Sequence, residues 1–100
     1  MLNLSAEQNG NEVIIHIEGK MDTNSSPQVT EKINENVPNC DKLILDLEKL
    51  EYVSSAGLRV FVMADQKMSD KGGELNVKNV PNPISEIFEM TGFDNMLTII

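Results

Sequence analysis

Two adjacent hydroxyls, Ser54 and Ser55, stand just ahead of a run with apolar residues at helical spacing: Leu58, Phe61, Val62 and Met68. A serine in that place is an N-cap candidate, because its oxygen can accept a bond from a free amide of the first helical turn. The same free amides and the helix dipole favour negative charge. A phosphate placed on either serine is therefore tolerated electrostatically, and the pair could work as a switch. Other reactive side chains are isolated. His16 lies in the strand-like run VIIHIE, between Ile15 and Ile17, with no Cys or second His near it, so it reads as structural rather than as a metal ligand. Cys40 is the lone cysteine, in the turn-like VPNCDK, and cannot form an internal disulfide. It suits a reducing cytoplasm and reads as incidental.

Enzyme chemistry finds no support in these residues. The chain has no Gly-x-Ser-x-Gly elbow, no phosphate loop and no metal-binding cluster, and a serine without a recognisable base is not a catalytic serine. Gly72-Gly73 reads as a helix stop rather than a nucleotide loop. No cofactor and no metal are expected. The charge balance narrows the partners. Sixteen carboxylates against eight bases give a net charge of −8, which repels phosphate backbones and anionic lipid alike. Nucleic acid and direct membrane insertion are both disfavoured, and a protein partner with a basic surface fits, although the charge also serves simple solubility. The first ten residues carry no basic start and no long apolar segment, so no signal peptide is expected. No apolar run reaches the length of a bilayer.

The elements that must hold the two serines follow from periodicity. One hundred residues suffice for a single domain with one modest core, here aliphatic and Met-rich because aromatics number four. Met1 to Ala6 is expected as an edge strand, Asn9-Gly10-Asn11 as a hairpin turn and Val13 to Glu18 as a second strand. Gly19 to Asp22 is expected to break that strand. Ser26 before Pro27 suits an N-cap followed by Pro at the first helical position, opening a helix to Val37. Leu43 to Leu47 reads as a buried strand and Leu50 to Val53 as a connector. A helix then runs to about Ser69. Glu74 to Val77 is a strand, Pro83 to Met90 a third helix stopped at Gly92, and Met96 to Ile100 a final strand. Strands alternating with helices predict an α/β fold: a small mixed sheet of four or five strands, with substantial parallel pairing and helices packed on it. Functional loops in such sheets gather at the carboxyl ends of strands. Gly19–Pro27 and Glu48–Gly57 are two such loops, and they could bring Asp22 and Thr23 near Ser54 and Ser55.

These residues resemble a known family. YVSSAGLRVFV preceded by LILDLEKLE is similar to the signature of STAS domains, in particular the bacterial anti-sigma factor antagonists: a strand ending Asp-Leu, a connector, then Asp-Ser-Ser/Thr-Gly-Leu opening a helix. Gly19 to Asp22 (GKMD), Gly72 to Val80 (GGELNVKNV) and Ile87 to Ile99 (IFEMTGFDNMLTI) resemble three further family stretches in the right order, so that residues 1–100 read as one STAS domain. The resemblance implies a cytoplasmic partner switch that is not an enzyme. Unphosphorylated, such a protein binds an anti-sigma factor, often a serine kinase, and so frees the sigma factor. The kinase phosphorylates a serine at the helix start, and a PP2C-type phosphatase reverses it. The acceptor position maps to Ser55, with Ser54 as rival acceptor or cap, and Asp22 maps to a family acidic residue near it. Three positions depart from the pattern: Ser54 replaces its Asp, Ala56 its second Ser/Thr, and Arg59 the Gly after Leu. The lost carboxylate makes a second STAS role credible, a phosphorylation-independent interaction subunit such as a scaffold or transporter-associated component.

The remaining candidates each carry two readings. Asp22 either shapes the acceptor site or serves as a turn former. Gly57 permits a close helix–sheet approach or an unusual backbone angle. Arg59 pairs with a partner carboxylate or a phosphate, or is simply solvated. Val60 and Met63, off the main stripe, form a small docking patch if exposed, or the far edge of a wide buried face.

Overall fold

A computed structural model describes residues 2–100. Among them, six strands form one sheet and three α-helices pack on it. Strand β1 (Leu2–Asn9) and strand β2 (Glu12–Met21) make an antiparallel hairpin turned at Gly10-Asn11. Helix α1 (Ser26–Asn36) then leads through a single 3-10 turn to β3 (Lys42–Asp46), which pairs parallel to β2. Strand β4 (Leu50–Val53) is followed at once by α2 (Ser55–Asp70), β5 (Glu74–Lys78), α3 (Asn82–Thr91) and β6 (Thr98–Ile99). The sheet order is β1-β2-β3-β5-β6, with β4 on β2. Met1, placed in the first strand by its sequence, lies outside the described residues.

The mixed α/β class is the one expected, but the sheet differs: β1 runs on past Ala6 to Asn9, and the final strand is Thr98–Ile99 rather than Met96 to Ile100, because a 3-10 turn at Phe93–Asn95 ends only at Met96. Leu50–Val53 is a strand and not a connector, so the sheet has six strands rather than four or five. It pairs parallel with the end of β2, which does not break at Gly19 but continues to Met21 through a register shift between Gly19 and Lys20. The shift lets β2 follow β3 first and β4 afterwards. Leu47, Glu48 and Lys49 step between those two short strands, and Lys49 C=O accepts from Gly19 N–H at 3.0 Å. The third helix gains a residue at each end and closes at Gly92, whose φ of 78° is the left-handed cap that glycine adopts without a Cβ penalty.

Alternation along β2 sorts its two faces. Val13, Ile15, Ile17 and Met21 point into the core with Leu43 and Leu45 of β3 and Leu75 and Val77 of β5. The helices cover that face with Val29, Ile33, Leu58, Phe61, Ala64, Met68, Ile84 and Phe88, and the Phe61 and Phe88 rings meet edge to face at 6.1 Å. The helices leave the opposite face free; on it His16 is partly exposed, while neighbouring side chains bury Asp46 and Asn76.

Candidate functional site

The start of α2 is fixed by the sheet beneath it. Met21 and Val53 are register partners at the ends of β2 and β4, so the loops that follow these strands emerge side by side. Ser54 N–H donates to Met21 C=O at 2.8 Å, which ties the first residue after β4 to the last of β2. Helix α2 then crosses close over the pair. A Cβ on Gly57 would come within 2.6 Å of Val53 Cγ2 and 3.1 Å of Met21 Cβ, so only glycine allows this approach. The close-approach reading of Gly57 is the one seen.

The two serines differ. Ser54 is the N-cap, in extended backbone at φ −89° and ψ 176°, and its Oγ accepts from Gly57 N–H at 3.3 Å. Its carbonyl accepts from Leu58 N–H at 2.9 Å. Ser55 is the first helical residue and is exposed, and among the described residues nothing bonds to its hydroxyl. One serine is thus spent on the helix and the other presents a free nucleophilic oxygen to solvent.

The neighbouring loop from β2 is held by its own side chains. Asp22 Oδ1 accepts from the N–H groups of Asn24 and Ser25, each at 2.9 Å. The Ser25 hydroxyl lies between Lys20 C=O (2.7 Å) and Asp22 Oδ1 (3.1 Å) and accepts from Asp22 N–H at 3.0 Å. The Ser25 amide, then the Ser25 hydroxyl, hold the Asp22 carboxyl below its ordinary range, so it is ionised at neutral pH. These bonds show the turn-forming role of Asp22. They also move the start of α1: the helix begins at Ser26, with Ser25 at the cap position, and not with Ser26 capping. The buried Ser26 hydroxyl donates instead to Asp22 C=O at 2.6 Å.

Between the first turns of α1 and α2 lies an open, largely apolar cleft of about 340 Å³, lined by Thr23, Pro27, Thr30, Ala56, Arg59 and Val60. Thr23 and Arg59 are exposed at its rim. Val60 is only 6% exposed and belongs to the core, and Met63 is half-buried. An exposed Val60–Met63 docking patch is therefore ruled out. The reason is that α2 packs against both the sheet and α1, which widens its buried face beyond the Leu58–Phe61–Met68 stripe.

A second polar cluster, missed in the sequence, lies on the helix-free face of the sheet. Asp46 is the register partner of His16 across the β2–β3 pair. Asp46 Oδ2 stands 3.1 Å from His16 Nδ1, and its Oδ1 accepts from Glu48 N–H at 3.0 Å and Asn79 Nδ2 at 3.1 Å. The other ring nitrogen of His16 meets Glu7 Oε1 at 2.5 Å. Burial works to raise the Asp46 carboxyl, but the Glu48 amide, the Asn79 amide and the positive charges of His16 and Lys78 prevail and hold it below the ordinary 3.8. The signal for this cluster was one polar residue set in each of two otherwise apolar strands. Cys40 is buried, with its thiol 3.4 Å from Asn36 C=O, and burial pushes it up, away from reactivity. No group of three or more His, Cys, Asp or Glu among the described residues is arranged to hold a metal ion, and no helix among them is long and apolar enough to cross a membrane.

The STAS domain family matches residues 3–100. The chain belongs to that family. Among its relatives, an anti-sigma-B factor antagonist of Bacillus subtilis is 29% identical over 98 residues, covering 98% of this chain and 90% of that protein. Among solved structures, the crystal structure of an anti-sigma factor antagonist from Mycobacterium paratuberculosis superposes with a TM-score of 0.90 at 19% identity, over 99% of this chain and 85% of that one. The Bacillus cell fate determinant SpoIIAA in its phosphorylated form superposes with a TM-score of 0.77 at 17% identity, over 98% and 91%. At these identities the structural matches establish the STAS fold.

Proposed function

We infer that this STAS domain is an anti-sigma factor antagonist, a cytoplasmic binding protein and not an enzyme. Its unphosphorylated form docks an anti-sigma factor that is itself a serine kinase, through the corner made by Asp22, Thr23, Ser55 and Arg59, and so releases a sigma factor. Phosphorylation of Ser55 ends the docking, and a PP2C-type phosphatase restores it. The observation that carries this reading is the contrast at the start of α2: Ser54 is engaged as the cap, while Ser55 Oγ is exposed and unbonded. The names of the relatives support the function class. The physics supports the switch. A phosphate adds nearly two negative charges where the helix amides tolerate them, so the fold persists, while a partner pocket shaped for a neutral hydroxyl is closed to it.

Ser54 in place of a carboxylate leaves the acceptor without its acidic neighbour. We place the phosphate on Ser55 all the same, since modifying Ser54 would remove the cap of α2. The test is incubation of the chain with its anti-sigma kinase and ATP, followed by mapping of the phosphosite by mass spectrometry. Phosphate on Ser55 is the expected result. Phosphate on Ser54 overturns the assignment and moves the switch to the rival acceptor, and stable complex formation with no modification at all leaves a phosphorylation-independent interaction subunit in its place.

A further inference from the structure

Arg59 is the chain's lone arginine. It stands exposed on α2 four residues after Ser55, and among the described residues it has no ion-pair partner. Residues four apart on a helix are surface neighbours, with Cβ atoms about 5–6 Å apart. Helical side chains also tilt toward the helix N-terminus and cover the turn before their own Cα. The turn that Arg59 covers holds Ser55. The same residue lines the cleft beside Thr23 and Thr30. Its guanidinium therefore has two places within reach, the rim of the cleft and the space above Ser55 Oγ.

We propose that Arg59 is the internal counter-ion of a phosphate on Ser55, and that this capture withdraws the cation from the docking corner. The proposal rests on the reading of Ser55 as the acceptor and adds to it the means by which modification acts. A phosphate presents three acceptor oxygens, and a guanidinium meets two of them with a planar fork that ammonium lacks. The Gly57 N–H is already committed to Ser54 Oγ, so the first turn offers the phosphate one donor fewer and a side-chain cation fills the gap. The neutral Ser54 matters here, because a carboxylate in its place would compete for the same arginine. Unmodified, the corner shows a free positive charge on a protein of net charge −8, suited to a carboxylate of the partner. With the Asp22 carboxylate counted, modification takes the corner from about neutral to about −2, since the phosphate carries nearly two negative charges, and its one cation is turned to the phosphate.

The experiment uses the full chain phosphorylated at Ser55 by direct incorporation of phosphoserine during translation, so no kinase is involved. Phosphorus NMR follows the second ionisation of the phosphate in the parent, in Arg59→Gln and in Arg59→Lys. Arg59 is exposed, so the fold is expected to survive both changes. We expect the phosphate of the parent to ionise about half a pH unit lower than that of Arg59→Gln, with Arg59→Lys between them. Equal titration in the parent and Arg59→Gln overturns the proposal. Failure of the acceptor reading itself would be seen elsewhere, in a kinase product carrying no phosphate on Ser55, whatever the titration shows.

Discussion

The helix-free face of the sheet and the start of α2 each collect polar side chains at the end of a strand, and they use them in opposite ways. At the first, Asp46 is nearly sealed and both its oxygens are engaged by His16, Glu48 and Asn79. Among the described residues no buried side-chain nitrogen or oxygen lacks a partner. At the second, one serine is bonded and its neighbour is not. Satisfied polar groups fix β1, β2, β3 and the loop after β5 to one another. An exposed hydroxyl without a partner fixes nothing and is free for another protein to modify. The difference predicts that damage to the first cluster is read in stability and damage to the second in binding.

The sharpest separation comes from Asp46→Ala. It leaves the Asn79 amide, the Glu48 N–H and the His16 ring facing a vacancy, which costs about 2–3 kcal/mol. Urea unfolding should record that loss, while affinity for the partner, measured at a temperature where the variant stays folded, is unchanged. Gly57→Ala tests the support between the two regions. Its new methyl meets Val53 Cγ2 at 2.6 Å, and forcing α2 away from β4 costs about 2 kcal/mol. This variant should lose both stability and binding, since the helix that carries Ser55 shifts with it.

Ser55→Asp acts in the opposite sense to Asp46→Ala. We expect binding to an anti-sigma partner to weaken by more than tenfold, or about 1.4 kcal/mol, with the urea midpoint unmoved. Calorimetric titration against that partner checks it, and undiminished binding by a folded variant breaks the comparison. Ser54→Ala removes the cap and is expected to lower stability by about 1 kcal/mol while leaving phosphorylation at the next residue possible. A Ser54→Ala chain that unfolds like the parent would mean that the two serines are not divided as the geometry has them.

Much of this layout was legible in the sequence, because the signals were local. Asn9-Gly10 marked the hairpin, Gly92 the end of α3, and the run from Leu43 a buried strand ahead of a capped helix. What was not legible depended on a partner element. Leu50–Val53 is too short to show a period, and only pairing with β2 makes it a strand. Val60 looked peripheral because one apolar stripe was counted, whereas α2 has two neighbours to pack against. His16 and Asp46 were each visible as polar residues in apolar runs, but the register that joins them is a property of the sheet. At the candidate site, the Ser54-Ser55 pair was legible, and its division of labour was not, since it turns on which oxygen Gly57 N–H reaches.

The smallest expected effect concerns acid. Asp46 has its folded pKa depressed, so the unfolded chain binds the proton more readily than the folded one. The stability this contributes is fully present above the ordinary carboxylate value of 3.8 and is lost as pH falls through the lower folded value. Glu7, His16, Glu48 and Lys78 surround the group, and none of them reverses that sign: the positive neighbours lower the pKa, and the Glu48 contact is through its amide. Asp46→Asn keeps the shape and removes the ionisation. The stability gap between parent and Asp46→Asn should therefore narrow as the pH falls below about 4. Thermal unfolding at matched ionic strength measures it. A gap that stays constant down to pH 2 would mean that the charge on Asp46 contributes nothing, and that its hydrogen bonds hold the sheet face equally well when the carboxyl is neutral.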